Sequence, residues 1–402
     1  MHTLFQNKDP VNVQRETKRS LNKRRKTGRQ CDHDFLLHPP MHSGPPRCCE
    51  PGVVPNRHRG VSGGSDLQEV RLCAALTALL SATDGPTRDQ LLQGLGLSGL
   101  EPQTVADLIQ TLQNNKPDNL HHGVAVFPAQ DVHVSSSYLD VVQTKFSGTV
   151  QNVAFTSPEE AAHIINRWAQ DQMEDQDQEL VSNLDSQTQL LLAAVASYKA
   201  HFSPAFNASL SQEERFYVDS YHVVMVTMMT RAGKYFLAYD RSLSVGVLKL
   251  AMTDGAAMLV VLPDEGVDVV SVEEGVTAAK IQAWIQQLKK TKLEVQLPRF
   301  LLERSYSLKD VLQSLDITQV FDHDADLTNM GGVKGPRLTQ VFHKSVISVD
   351  ERNNDITEEG GDIVFSTPPP RLTINRPFVV VVYQETTGSL LCVGRVLDPT
   401  NK

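Results

Sequence analysis

The order of the sequence patterns predicts an α+β fold with largely antiparallel sheets. Three observations carry that reading. Apolar residues recur at helical spacing mainly between residues 72 and 168, β-rich runs dominate after residue 215, and Thr253-Asp254-Gly255 separates two apolar runs as a hairpin turn does. With 402 residues, 40% of them hydrophobic, the chain can bury a sizeable core without disulfides.

Residues 1–66 are polar, rich in Pro, Gly, Arg and His, and lack periodicity, so they read as a disordered segment. The folded part is expected over residues 67–402. Leu72, Ala75, Leu76, Leu79 and Leu80 predict a helix that Gly85-Pro86 ends. Thr87–Leu95 predicts a short helix capped by Thr87 and closed by Gly94 and Gly96, and Val105, Leu108, Ile109 and Leu112 predict another. Val124–Phe127 reads as a strand. Ser157-Pro158-Glu159-Glu160 reads as a capping box with proline at the first helical position, opening a helix that buries Ala161, Ile164, Ile165 and Trp168. The acidic stretch Glu174–Glu179 lacks the glycine and ligand spacing of a calcium loop and reads as a solvated helix end. Further strands are expected at Val223–Met229, Val245–Leu250, Ala256–Leu262, Leu293–Leu297, Val341–Val349, Arg371–Ile374, Phe378–Tyr383 and Leu390–Val396, with helices at Ile281–Lys290 and Ser307–Leu315.

Net charge is −9, unevenly spread. Residues 1–30 carry nine Lys/Arg against Asp9 and Glu16, leaving an acidic body. That body has no basic-aromatic stripe, so no nucleic-acid partner is expected. No apolar run approaches a membrane span. Five cysteines without a CxxC pair argue against a zinc site, and no metal or cofactor is expected. The start of the chain lacks the apolar core of a secretory signal. No nucleophile elbow, zincin helix, phosphate loop or dinucleotide fingerprint occurs, so no catalytic residue is assigned and the protein is not read as an enzyme.

The segment Val349–Phe378 lies between two strands, and a connection that long is functional or disordered. Around it stand stretches that resemble the serpin family: Thr87–Leu95 (TRDQLLQGL), Ser157–Trp168 (SPEEAAHIINRW), Gly255–Pro263 (GAAMLVVLP), Leu297–Phe300 (LPRF), Ser307–Leu312 (SLKDVL), Asp326-Leu327, His343–Glu351 (HKSVISVDE), Asn375–Phe378 (NRPF) and Gly394–Pro399 (GRVLDP). The resemblance runs from about Leu67 to Asn401. It implies a serpin fold with three β-sheets, about nine helices and an exposed reactive-centre loop at about 351–370. It also implies an extracellular monomer whose partner is a protease. The first helix, first strand and Phe-Ser-Pro segment of the family do not precede Leu72, so the first helix is expected to be missing. Ala194 stands where the family carries an asparagine that helps control sheet opening.

In inhibitory serpins the cleaved loop inserts as a strand, which requires small apolar residues at alternate positions. Glu351 fits the family hinge, but Asn353 and Asn354 replace its glycine and threonine, and Ile356, Thr357, Glu358 and Glu359 replace its alanine run. Alternation from Asn354 turns Ile356 and Glu358 inward, and an unpaired buried carboxylate opposes insertion. A one-residue shift turns Glu359 inward instead. The expected scissile region is Ser366, Thr367 and Pro368, and cleavage before Pro368 is disfavoured. The hinge therefore implies a non-inhibitory serpin. Within the family, Asp219–Pro263 and Ile374–Pro399 resemble the plasma group that contains angiotensinogen and the protein Z-dependent protease inhibitor, and the departed hinge favours the angiotensinogen type, whose members carry a hormone peptide released by renin. That peptide is not found here, since Asp34–Pro40 shares little beyond His-Pro. The alternative is an inhibitor of a serine protease that traps its target by loop insertion. A third possibility is a carrier of a hormone or lipid on the same fold. Asn207-Ala208-Ser209 is the only glycosylation sequon.

Overall fold

The computed structural model describes residues 70–100, 104–107, 110, 119–174, 179–332, 336–351, 366–388 and 390–401. Helix α1 (Val70–Ala82) arises from an Ala/Leu run whose Ala74, Ala75, Ala78 and Leu79 are buried. Gly85-Pro86 does not merely end it but opens α2 (Gly85–Gly94). The Asp84 carboxylate caps α2 by accepting from the Gly85 N–H at 2.9 Å, and proline sits in the first turn, where its missing N–H costs nothing. Thr87, expected as the cap, instead accepts the Asp326 N–H at 3.0 Å. Gly94 is a packing residue, because a Cβ there would lie 2.3 Å from Ile317. Of the helix expected around residues 105–112, residues 104–107 and 110 are helical, and the remainder lies outside the described residues.

Helix α3 (Ser136–Phe146), absent from the sequence reading, buries Tyr138, Val142 and Phe146 at four-residue spacing. Helix α4 (Pro158–Met173) buries Ala161, Ile165, Trp168, Ala169 and Met173. Ser157 makes no capping hydrogen bond from its side chain, so the expected box reduces to Pro158 and two acids in the first turn.

Five strands, β1 (Leu120–Pro128), β2 (Thr149–Val150), β3 (Leu190–Ala200), β9 (Phe300–Ser307) and β10 (Gln340–Val349), form one sheet in the order β2-β1-β3-β10-β9. The central pair β3/β10 is parallel. The sheet is covered on both sides. Leu190, Leu192, Ala194 and Val341 pack with α1, and Leu191, Ala193, Val195 and Val346 pack with α4. This is why β3 reads as a continuous apolar run instead of alternating.

The other strands are β4 (Gln212–Tyr217), β5 (Val223–Asp240), β6 (Val245–Ala251), β7 (Ala256–Pro263), β8 (Lys289–Pro298), β11 (Arg371–Thr373), β12 (Phe378–Gln384) and β13 (Leu390–Val396). They run in the order β11-β8-β5-β6-β7-β12-β13, with β4 also on β5. The long β5 pairs with β4 through Val223–Met228 and with β6 through Phe236–Asp240. It thereby joins two sheets into one ladder, and three sheets appear as two hydrogen-bonded systems. The hairpin at Thr253-Asp254-Gly255 forms as expected, with Gly255 at φ +75°. Helices α5 (Val269–Gly275) and α6 (Ala278–Gln287) cover this ladder with Val272, Ile281 and Trp284. The expected helix over residues 281–290 stops at Gln287 because Lys289 already pairs with Leu237 of β5. Similarly Ser307 closes β9, and the following helix α7 (Lys309–Ser314) starts after Leu308 without a side-chain cap. Helix α8 (Thr328–Gly331) completes the described set.

Candidate functional site

The loop of interest leaves β10 at Val349 and returns at Arg371 of β11. Its two roots stand on different sheets. At the first root Glu351 is buried, its side chain only 1% exposed. The cause is Arg299, the residue between the end of β8 and the start of β9, where the chain passes from one sheet to the other. Its Nε lies 3.2 Å from Glu351 Oε2 and 3.4 Å from Asp350 Oδ1, and a second guanidinium nitrogen donates to Glu351 Oε1. The Arg299 N–H is itself fixed to the Thr227 carbonyl at 2.9 Å. Beside it Phe300 packs edge-on against Phe378, with centroids 5.6 Å apart, and Phe216 packs on Phe378 in turn. Sequence reasoning named Glu351 but not Arg299. The only signal was a cation within Leu297–Phe300.

At the second root Ser366, Thr367 and Pro368 are exposed. Pro370 accepts the Glu294 N–H at 3.0 Å, and Arg371 pairs with the Glu294 carboxylate at 2.9 Å. The hinge residues Asn353, Asn354, Ile356 and Glu358 lie outside the described residues. Thus one hinge residue and the three scissile candidates are located, at opposite ends of the connection.

The seat that a loop strand would have to enter is the β3/β10 junction. It is closed over its whole length, with register from Gln340↔Leu191 to Val349↔Ala200. Two buried polar side chains mark its middle. His343 lies opposite Ala194, and its Nδ1–H donates to the Ala194 carbonyl at 3.2 Å. Burial pushes the His343 pKa down to about 4, so the ring is neutral. Lys344 points to the other face, where its ammonium donates to the Glu179 carbonyl at 2.7 Å and meets Glu303 of β9 at 2.8 Å. It therefore ties β10 to the segment that follows α4.

Asn207 is exposed at the start of a single 3₁₀ turn, Ala208–Leu210. Its side-chain oxygen accepts both the N–H and the hydroxyl of Ser209, at 2.9 and 2.8 Å. Among the described residues no group of His, Cys, Asp and Glu gathers that could hold a metal ion.

A sheet closed between two helical layers, with a long connection rooted beside it, defines a class. The family model for serpins, serine protease inhibitors, matches residues 70–399, and the chain belongs to that family. The family's description names inhibition rather than catalysis, and its partner class is the serine protease. Among curated proteins, the chain is 27% identical to the protein Z-dependent protease inhibitor of Mus musculus, covering 82% of this chain and 75% of that one. It is 31% identical to the hibernation-specific plasma protein HP-55 of Tamias sibiricus, covering 83% and 82%. Among solved structures, mouse protein Z-dependent protease inhibitor superposes with a TM-score of 0.76 at 27% identity, covering 84% of this chain and 92% of that one.

Proposed function

We propose that this chain is a secreted, non-inhibitory serpin of the angiotensinogen type, with its loop displayed rather than inserted. One observation carries the reading: Glu358 and Glu359 stand side by side in the stretch that would become the inserted strand. The seat is lined on one face by residues packed with α1 and on the other by residues packed with α4. Adjacent residues of a strand point to opposite faces, so in either register one carboxylate enters an apolar layer. Leaving a charge buried and unpaired costs about 3–5 kcal/mol, or forces its protonation. Insertion opposed by that cost is slow or unfavourable, and a trap that must outrun release of the protease does not tolerate it. The angiotensinogen-like refinement rests on this hinge, within the plasma group that residues 219–263 and 374–399 resemble. A renin-type protease is then the partner class, acting on a peptide outside the serpin fold. Secretion is in keeping with a relative named as a plasma protein. Asn207, exposed with its amide nitrogen clear of the Ser209 contacts, is the glycan acceptor, and enzymatic deglycosylation of secreted protein should lower its mass while Ser209→Ala removes the glycan.

The second reading, a loop-inserting inhibitor of a serine protease, is favoured by the 27% identity to the protein Z-dependent inhibitor. One experiment separates the two. Thermal unfolding is recorded before and after limited proteolysis within residues 353–367. An unchanged transition is expected. A rise of more than a few degrees means that the cleaved loop enters the sheet, and the non-inhibitory reading fails.

A further inference from the structure

We propose that the buried guanidinium of Arg231 is the floor of a binding site for a small organic carboxylate. Arg231 stands on β5 opposite Val295 of β8 and is only 7% exposed. Its Nη1 donates to the Ala205 carbonyl. Its Nε is buried without a hydrogen-bond partner among the described residues, and no carboxylate among them pairs with the group. A guanidinium does not give up its proton inside a protein. Unlike a lysine or a histidine, it cannot escape the cost of burial by becoming neutral. One backbone carbonyl offsets only part of that cost, and an anion supplies the counter-charge.

The geometry selects the kind of anion. With Nη1 turned to Ala205, the edge that remains is Nε with Nη2. That edge presents two parallel N–H bonds and matches the two oxygens of a carboxylate. A further donor lies on the same face. Gln212 of β4 pairs with Met228, and Ser211, extended at φ −72° and ψ 134°, continues that register opposite Met229. Alternation along β5 turns Met229 and Arg231 to one face, and Ser211 is on it with them. The Ser211 Oγ is likewise buried without a hydrogen-bond partner among the described residues. Two unanswered donor groups therefore share a face that Ala205 and the turn Ala208–Leu210 help to cover. Along β5 the same face opens to solvent, since Thr227 is half-buried and Met225 is 54% exposed. The acid of β4 on that face, Glu213, accepts the Thr227 hydroxyl at 2.9 Å and does not pair with Arg231. A site covered this far admits a small molecule and excludes a polymer. Whether the loop inserts has no bearing on it.

The test is thermal unfolding of the full chain in rising sodium acetate, against sodium chloride at matched ionic strength, with calorimetric titration of acetate for the affinity. The parent is expected to melt a few degrees higher in saturating acetate than in chloride. Arg231→Lys keeps the charge but loses the fork, and should bind acetate roughly tenfold more weakly. Ser211→Ala should weaken binding about threefold to tenfold. Arg231→Met removes an unpaired buried charge, so it should melt no lower than the parent in chloride and gain nothing from acetate. If Arg231→Met does not fold, the Arg231→Lys and Ser211→Ala affinities decide. The proposal is overturned if acetate and chloride give the parent the same transition, if Arg231→Met keeps the acetate shift, or if Arg231→Lys and Ser211→Ala bind acetate as the parent does.

Discussion

Arg299 serves two carboxylates at once, and that sets what its loss would do. Without it Asp350 and Glu351 would share a buried root with no guanidinium, and breaking such a pair typically costs about 3 kcal/mol or more. Arg299→Ala is therefore expected to lower the denaturation midpoint substantially. Arg299→Lys should recover only part, because an ammonium cannot fork across two acids. His343 offers a pH-dependent counterpart. Its folded pKa of about 4 lies below the ordinary 6.5, so between those values the unfolded chain binds a proton that the folded chain refuses. Its contribution is intact above pH 6.5 and is lost as pH falls through that window, by about 3 kcal/mol at the acid end. Urea midpoints at pH 4.5, 5.5 and 7 should show this slope, and His343→Gln should flatten it relative to the parent.

Among the elements, the β3/β10 ladder decides whether the loop can move. Opening it breaks a parallel ladder extending from Gln340 to Val349, so an incoming strand must repay that loss with its own pairing and burial. Glu358→Ala combined with Glu359→Ala removes the two charges that oppose entry. The doubly substituted protein, once cleaved, is expected to melt well above its intact form, whereas the cleaved parent is not. If both behave alike, the obstacle lies elsewhere than in those carboxylates. Strand β10 of this ladder was legible in the sequence, as were β12 and β13 of the larger sheet, because the runs at 341–349, 378–383 and 390–396 are apolar and punctuated by turn residues. The misses have local causes. Helix α3 was hidden because its buried stripe is only three residues, Tyr138, Val142 and Phe146. Strand β9 carries Glu303, Arg304 and Ser305, which dilute its pattern. Gly85-Pro86 signals a stop and a start equally well, and the Asp84 carboxylate decides for the start. The site was half legible. Family resemblance located the loop, but Arg299 and Glu351 are 52 residues apart, and a partner at that separation leaves no periodic trace.

At the scale of the whole molecule, the family match begins at residue 70, and residues 1–66 contribute nothing to it. A chain shortened by those residues is expected to unfold within a few degrees of the parent by scanning calorimetry. A large drop would mean that part of the basic segment completes the fold. The strand order bears on a different property of the same molecule. Everything after the exposed Ser366-Thr367-Pro368 is laced into the larger ladder: β11 lies on β8, and β12 runs between β7 and β13 with Phe378–Tyr383 wholly buried. A nick in the loop therefore releases no fragment. It leaves a two-chain particle that stays whole in native buffer and comes apart only on denaturation. A protease can sever this connection without the break appearing in the size of the native particle.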